Sequence, residues 1–196
     1  MAEQPSPLVL ASGSPRRRAL LAQVGIEVVV RPTDVDESGR PGETPAAYVR
    51  RMAEAKLRAG LEAAAGPFVL AADTVVVVEG RVLGKPVDDA EARATLERLS
   101  GRAHEVTTAV ALGRGSASLE NQAVTTRVVF RALTQDEIAR YVATGEGRDK
   151  AGSYGVQGVA AGFVERLEGS WSNVVGLPLA RTLAMLRAHG AVGAWP

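Results

Sequence analysis

"LVLASGSPRRRALLAQVG", residues 8 to 25, compresses a strand, a turn and a helix into eighteen residues. The apolar run at 8 to 11 reads as a short strand, stopped by small polar residues and Pro15. Ser14 followed by Pro15 is the pattern of an N-cap with proline at the first helical position, and Gly25 stands where the helix ends. A strand feeding directly into a helix is the opening unit of an α/β chain. Arg16, Arg17 and Arg18 crowd the first helical turn, where the positive end of the helix dipole disfavours each cation by roughly 0.3 to 1 kcal/mol. Backbone N–H groups, hydroxyls and arginines at one point become favourable once an anion supplies the counter-charge. The stretch therefore reads either as a polyphosphate site or as a solvated basic patch. It is not a Walker A loop, because the paired glycines and the Lys-Ser/Thr dipeptide are missing.

Working outward, short β-branched runs alternate with longer helical patterns. Helices are predicted over 15 to 24, 45 to 64, 89 to 99, 135 to 144 and 179 to 189. Strands are predicted near 7 to 11 and over 26 to 30, 68 to 78 and 81 to 84, and they dominate from 104 to 131. The pattern is α/β with a mixed sheet. Thr44 before Pro45 repeats the capping device, Thr134 with Glu137 forms a capping box, and "VVVVEGRVLGKP" reads as a hairpin turning at Glu79 and Gly80. The loosest segments are 1 to 6, 32 to 43 and the turn at 113 to 118.

At 196 residues the chain suits a single folding unit, with 46% apolar and 23% charged residues. A net charge of +1 offers no global attraction to nucleic acid or to an anionic membrane. The absence of cysteine removes disulfides and thiolate chemistry and suits a reducing cytoplasm, and His104 and His189 are too few for a multi-histidine zinc site. Metal binding would therefore rest on carboxylates and a hard cation such as magnesium or manganese. The longest hydrophobic stretch, "FVLAADTVVVV", has eleven residues and contains Asp73, too short to span a membrane. The apolar run at 8 to 11 has its basic cluster on the wrong side for a signal peptide.

Several local features carry chemistry. Asp73 within its apolar run marks either a buried carboxylate or the point where a site opens, with a turn cap as the structural alternative. The loop "RPTDVDESGRPGE" offers Asp34 or Asp36 together with Glu37 to a divalent cation, or is simply solvated. Lys85 follows a hairpin strand and is able to neutralise a phosphate, whereas Lys56, mid-helix in "AEAKLRAG", reads as a surface residue. His104 reads as structural. "DKAGSYGVQGVAAGFVERLEGSWSNVVGLPL" is dense in glycine, which suggests backbone closely approaching a ligand or another segment. Gln157 within it both donates and accepts, as reading the edge of a base requires.

In order along the chain, "LASGSPRRRALL", the "DVDE" loop, "EAKL", "AADTVV", "GKP", "LSGRAHEVTTAV", "DKAGSYGVQG" and "NVVGLPL" resemble the Maf family of nucleoside triphosphate pyrophosphatases over about residues 8 to 187. The last two segments are similar to the branch acting on dTTP and UTP. The resemblance implies a mixed α/β fold like that of inosine triphosphate pyrophosphatases (Maf/Ham1), with two lobes around a central cleft and often a homodimer. It also implies hydrolysis of a nucleoside triphosphate to monophosphate and pyrophosphate with Mg2+ or Mn2+. By the same resemblance Asp73 is the catalytic acceptor, and Arg16, Thr74 and Gln157 govern substrate choice. Ser12, Arg17, Glu37, Lys56 and Lys85 line the cleft, and Glu37 with Asp73 position the metal and a water. The alternative from another class is a nucleotide-binding regulator of septum formation and cell division without useful turnover.

Overall fold

The computed structural model describes residues 8–64 and 68–193, so the expected loose segment 1 to 6 lies outside the described residues. The opening strand β1 (Leu8–Leu10) is buried along its whole length because it has a parallel neighbour on each side, β2 (Val28–Val30) and β3 (Phe68–Val78). Leu8 pairs with Val28 and Val9 with Val69, and the ladder is extended by Arg31 N–H to the Leu10 carbonyl at 2.9 Å. The sheet is seven-stranded in the order β2-β1-β3-β5-β6-β7, adding β5 (Ala103–Arg114), β6 (Ala117–Phe130) and β7 (Val164–Glu168). The short β4 (Arg81–Leu83) pairs antiparallel with β3, and β7 antiparallel with β6. This is the mixed sheet that the alternation of strand and helix patterns implies.

The helices are α1 (Pro15–Gln23), α2 (Pro45–Ala63), α3 (Asp89–Leu99), α4 (Gln135–Ala143), α5 (Trp171–Val175) and α6 (Leu179–Ala188). Their ends follow local chemistry. Gly25, at φ +73°, closes α1, with its N–H on the Ala22 carbonyl and the Ile26 N–H on that of Leu21. Thr44 and Asp88 cap α2 and α3, Thr134 and Glu137 form the capping box of α4, and Glu79 and Gly80 both have positive φ in the β3–β4 turn. Ser14 occupies the N-cap position of α1, but its side chain makes no capping bond; its own N–H donates to Ser12 Oγ at 3.3 Å.

Between 145 and 178, where the sequence shows only dense glycine, the structure contains β7, α5 and two single 3₁₀ turns at Ala151–Ser153 and Val159–Phe163. Elements of three to five residues are too short for a periodicity to register.

The chain forms two compact units. The first comprises residues up to Asp73, Thr108–Val124 and those from Gly176 on; the second comprises Thr74–Thr107 and Thr125–Val175. The boundary falls inside the long strands β3, β5 and β6. In the first unit α2 lies close to β1 and β3 at Gly60, where an added Cβ would stand 2.8 Å from Ala11 Cβ and 2.9 Å from Val69 Cγ1. The second unit packs Leu96, Leu99, Val128 and Ile138 around an aromatic cluster. In that cluster Phe130 meets His104, Tyr154 and Phe163 edge to face at centroid distances of 4.9, 4.8 and 6.0 Å. His104 is buried, its Nε2 hydrogen-bonded to Tyr154 Oη at 2.8 Å, as its structural reading anticipates.

Two outcomes follow from this packing. A glycine inside a helix ordinarily costs about 1 kcal/mol relative to alanine, yet Gly60→Ala is expected to destabilise by about 1 to 3 kcal/mol, seen as a lower urea midpoint at unchanged slope. Burial pushes the His104 imidazole down to about 4 from the ordinary 6.5. The unfolded chain therefore binds a proton that the folded chain refuses, and stability is full above pH 6.5 and falls as the pH drops to about 4. The loss is expected to total about 3 kcal/mol, and denaturant titrations of His104→Gln against the wild type should show that slope removed.

Candidate active site

The first unit assembles its polar residues from the turn after β1, α1, α2, β3 and the loop before α2. The turn after β1 supplies Ser12, whose Oγ accepts from Arg17 Nη1 at 2.8 Å, and Arg17 Nε donates to the Gly176 carbonyl at 2.9 Å. Arg17 is thus held in one orientation at the start of α1. Burial pulls its pKa down, Asp73 opposes this and Arg16 adds to it, and the guanidinium remains charged at neutral pH. Arg16 and Arg17 are half-buried while Arg18 is exposed, so the three arginines differ in environment.

Asp73 is the sixth residue of β3, and the burial of that strand breaks at Asp73 and Thr74 alone. Opposite it stands Lys56 of α2, with Nζ 2.6 Å from Asp73 Oδ1 and 2.6 Å from Glu37 Oε1. The Lys56 and Asp73 side chains are each 13% exposed, so this ammonium is not the solvated group that its isolated sequence context suggests. The signal was present in the helical period. At about 100° per residue Val49, Met52, Ala53, Leu57, Gly60 and Leu61 fill one arc of α2, and Lys56 falls inside it. Burial acts to lower the Lys56 pKa, but attraction to Asp73 and Glu37 outweighs it and holds the ammonium above its ordinary value.

Of the acidic loop, Glu37 is the residue brought to Asp73. Asp36 instead accepts from the Ser38 N–H at 2.9 Å and Ser38 Oγ at 2.5 Å, bonds that hold its carboxyl below the usual range, and Asp34 is exposed. Two residues of α2 that the sequence reading did not assign to the site brace this loop. Tyr48 Oη donates to the Glu37 carbonyl at 2.9 Å, and its phenol is pushed up by burial and by Asp73 and Glu37. Arg51 clasps both oxygens of Glu43 at 2.6 Å, donates to the Ser38 carbonyl at 2.9 Å and lies over the Tyr48 ring.

Asp73 Oδ1 and Glu37 Oε1 both converge on the Lys56 ammonium. An oxygen-donor pair of that kind, completed by substrate phosphates, fits a hard divalent cation such as magnesium or manganese. Among the described residues there is no cluster of three or more His, Cys, Asp or Glu able to hold a metal by itself. Thr74, Lys85 and Gln157 belong to the second unit, Lys85 and Gln157 being exposed. Among the described residues no helix is long and apolar enough to cross a membrane.

Residues 7–189 match the family described as Maf-like protein. Curated relatives include the dTTP/UTP pyrophosphatase of Hahella chejuensis, 52% identical over 93% of this chain and 92% of that protein. The protein of the same name from Anaeromyxobacter sp. strain Fw109-5 is 54% identical over 96% of this chain and 92% of its own length. Among solved structures, a HAM1 protein from Coxiella burnetii aligns with a TM-score of 0.47 at 19% identity, covering 93% of this chain and 98% of that one. With a family match across nearly its whole length, and the "AADTVV", "DKAGSYGVQG" and "NVVGLPL" segments in order, this chain belongs to the Maf family.

Proposed function

We propose that this protein hydrolyses pyrimidine nucleoside triphosphates, dTTP and UTP, to the monophosphate and pyrophosphate. The observation that carries the reading is Lys56 Nζ set 2.6 Å from both Asp73 and Glu37, with Arg17 held nearby in charge interaction with the same two carboxylates. Relatives about half identical over nearly the full chain and named dTTP/UTP pyrophosphatase support the substrate class.

In this mechanism Arg16, Arg17 and the N-terminus of α1 bind phosphate oxygens, Ser12 keeping the Arg17 guanidinium oriented. Lys56 stabilises charge on the triphosphate, and the family resemblance assigns Lys85 the same purpose. Asp73 orients a water for attack on the α-phosphorus and takes its proton. Glu37 and Asp73 would hold a divalent cation, which when bound neutralises charge developing on the leaving pyrophosphate. Thr74 and Gln157 contribute to choice of the base. No covalent intermediate is required.

Asp73→Asn is expected to lower turnover by about 10² to 10⁴ while the chain still folds, as its far-UV circular dichroism would show, and near-normal activity would sink the assignment. Product analysis is expected to find pyrophosphate rather than orthophosphate. Glu37→Gln is expected to raise the magnesium concentration needed for half-maximal rate by about tenfold, against a smaller change in the rate at saturating metal. Saturable nucleotide binding without turnover under any divalent cation would instead identify a regulator.

A further inference from the structure

The second unit contains a carboxylate that the proposed reaction does not use. Glu146 lies just after α4, in the turn that leads into the glycine-rich segment. Its Oε2 accepts from the Val159 N–H at 2.8 Å, and its Oε1 accepts from the Ala160 N–H at 3.4 Å and from Tyr141 Oη at 2.9 Å. Tyr141 Oη in turn accepts from the Gly155 N–H at 3.2 Å. Between these anchors runs a tight turn, closed by the Gly158 N–H on the Gly155 carbonyl at 3.1 Å, and Gln157 is exposed at its third position. One carboxylate therefore fastens both ends of the turn, directly beyond Gly158 and through Tyr141 at Gly155.

The two glycines are there because the fastening is close. A Cβ on Gly158 would overlap the Glu146 carboxylate, and one on Gly155 would stand 2.9 Å from Lys150 Cε and 3.4 Å from Glu146 Oε1. Lys150 Nζ donates to the Glu146 carbonyl, fixing the backbone from which the carboxylate projects. Burial and the adjacent Glu146 push the Tyr141 phenol up, so it stays protonated and keeps donating. A charged acceptor shared by backbone N–H groups and a phenol makes a stiffer support than neutral partners would.

We propose that Glu146 is a positioning residue for substrate choice: by holding both ends of the Gly155–Gly158 turn it fixes where Gln157 presents its amide to the nucleobase. The proposal rests on the pyrimidine triphosphate reading above and on Gln157 contacting the base.

Two measurements on the full chain test it. Without nucleotide, Glu146→Gln is expected to speed amide exchange at Gly155, Val159 and Ala160 by about tenfold or more, since one acceptor oxygen becomes a donor. Unchanged exchange overturns the proposal whatever the reaction. In steady state, Glu146→Gln is expected to raise KM for dTTP about tenfold with kcat within about twofold, and to narrow the preference for dTTP over purine triphosphates. Gln157→Ala is expected to do the same, and the double variant to be no worse than Gln157→Ala alone, because both changes remove one positioned contact. Losses that multiply in the double variant, or an equal fall in kcat for every nucleotide, overturn it. Tyr141→Phe cuts only the link to Gly155 and should reproduce part of the KM rise; it carries the test if Glu146→Gln fails to fold. Pyrophosphate release from none of the triphosphates by the wild type overturns the proposed reaction, and with it the role in substrate choice, while faster exchange would still report the fastening.

Discussion

An ammonium seated between two carboxylates makes the centre of the first unit tenable. Asp73 interrupts an otherwise buried apolar strand, and a carboxylate there would be costly without a partner. Lys56 supplies that partner and recruits Glu37 from the loop, so one cation compensates two anions. Its reach depends on how closely α2 approaches the sheet, which Gly60 permits by having no side chain against Ala11 and Val69. A helix-weakening residue and a buried charge on the same arc of α2 thus have one explanation. The glycine lets the helix close, and the closed helix delivers the lysine.

Around that centre the loop carrying Glu37 has almost no regular structure, yet it is tightly specified. Tyr48 and Arg51 project from α2 one to two turns before Lys56 and bind the loop mostly through its backbone and Glu43. The helix that presents the cation also holds the loop that presents one of its anions. In the second unit Glu146 plays a comparable role, a single carboxylate organising a glycine-rich segment through backbone N–H groups. Irregular backbone needs such acceptors, since its own polar groups lack a ladder to satisfy them.

Much of the fold was legible because its boundaries are written in local chemistry. Caps at Thr44, Asp88 and Thr134, the paired positive φ angles at Glu79 and Gly80, and the glycine ending α1 depend on nearest neighbours and appeared where residue types required them. Lys56 was misjudged when taken by itself, although its place on the apolar arc was readable from helical period. Ser14 holds the N-cap position that its residue type signals, though its side chain makes no capping bond. The elements between 145 and 178 were missed because each is held by partners distant in sequence, as β7 is by β6 and Asn173 by Val106 and Thr126.

The alternation of strands and helices, the exclusion of thiol and multi-histidine chemistry and, through motif order, membership of the Maf family can all be read from the residues in order. The sequence also singled out Asp73, because a carboxylate in an apolar run is conspicuous without coordinates. The resemblance had already set Glu37 beside Asp73; what the folded chain added is that both carboxylates meet the Lys56 ammonium, and that neither Asp34 nor Asp36 joins them. Ser38 captures Asp36, Arg51 clasps Glu43, and Tyr48 pins the Glu37 backbone, which leaves Glu37 to share Lys56 with Asp73. These are contacts whose geometry exists only once α2 has docked.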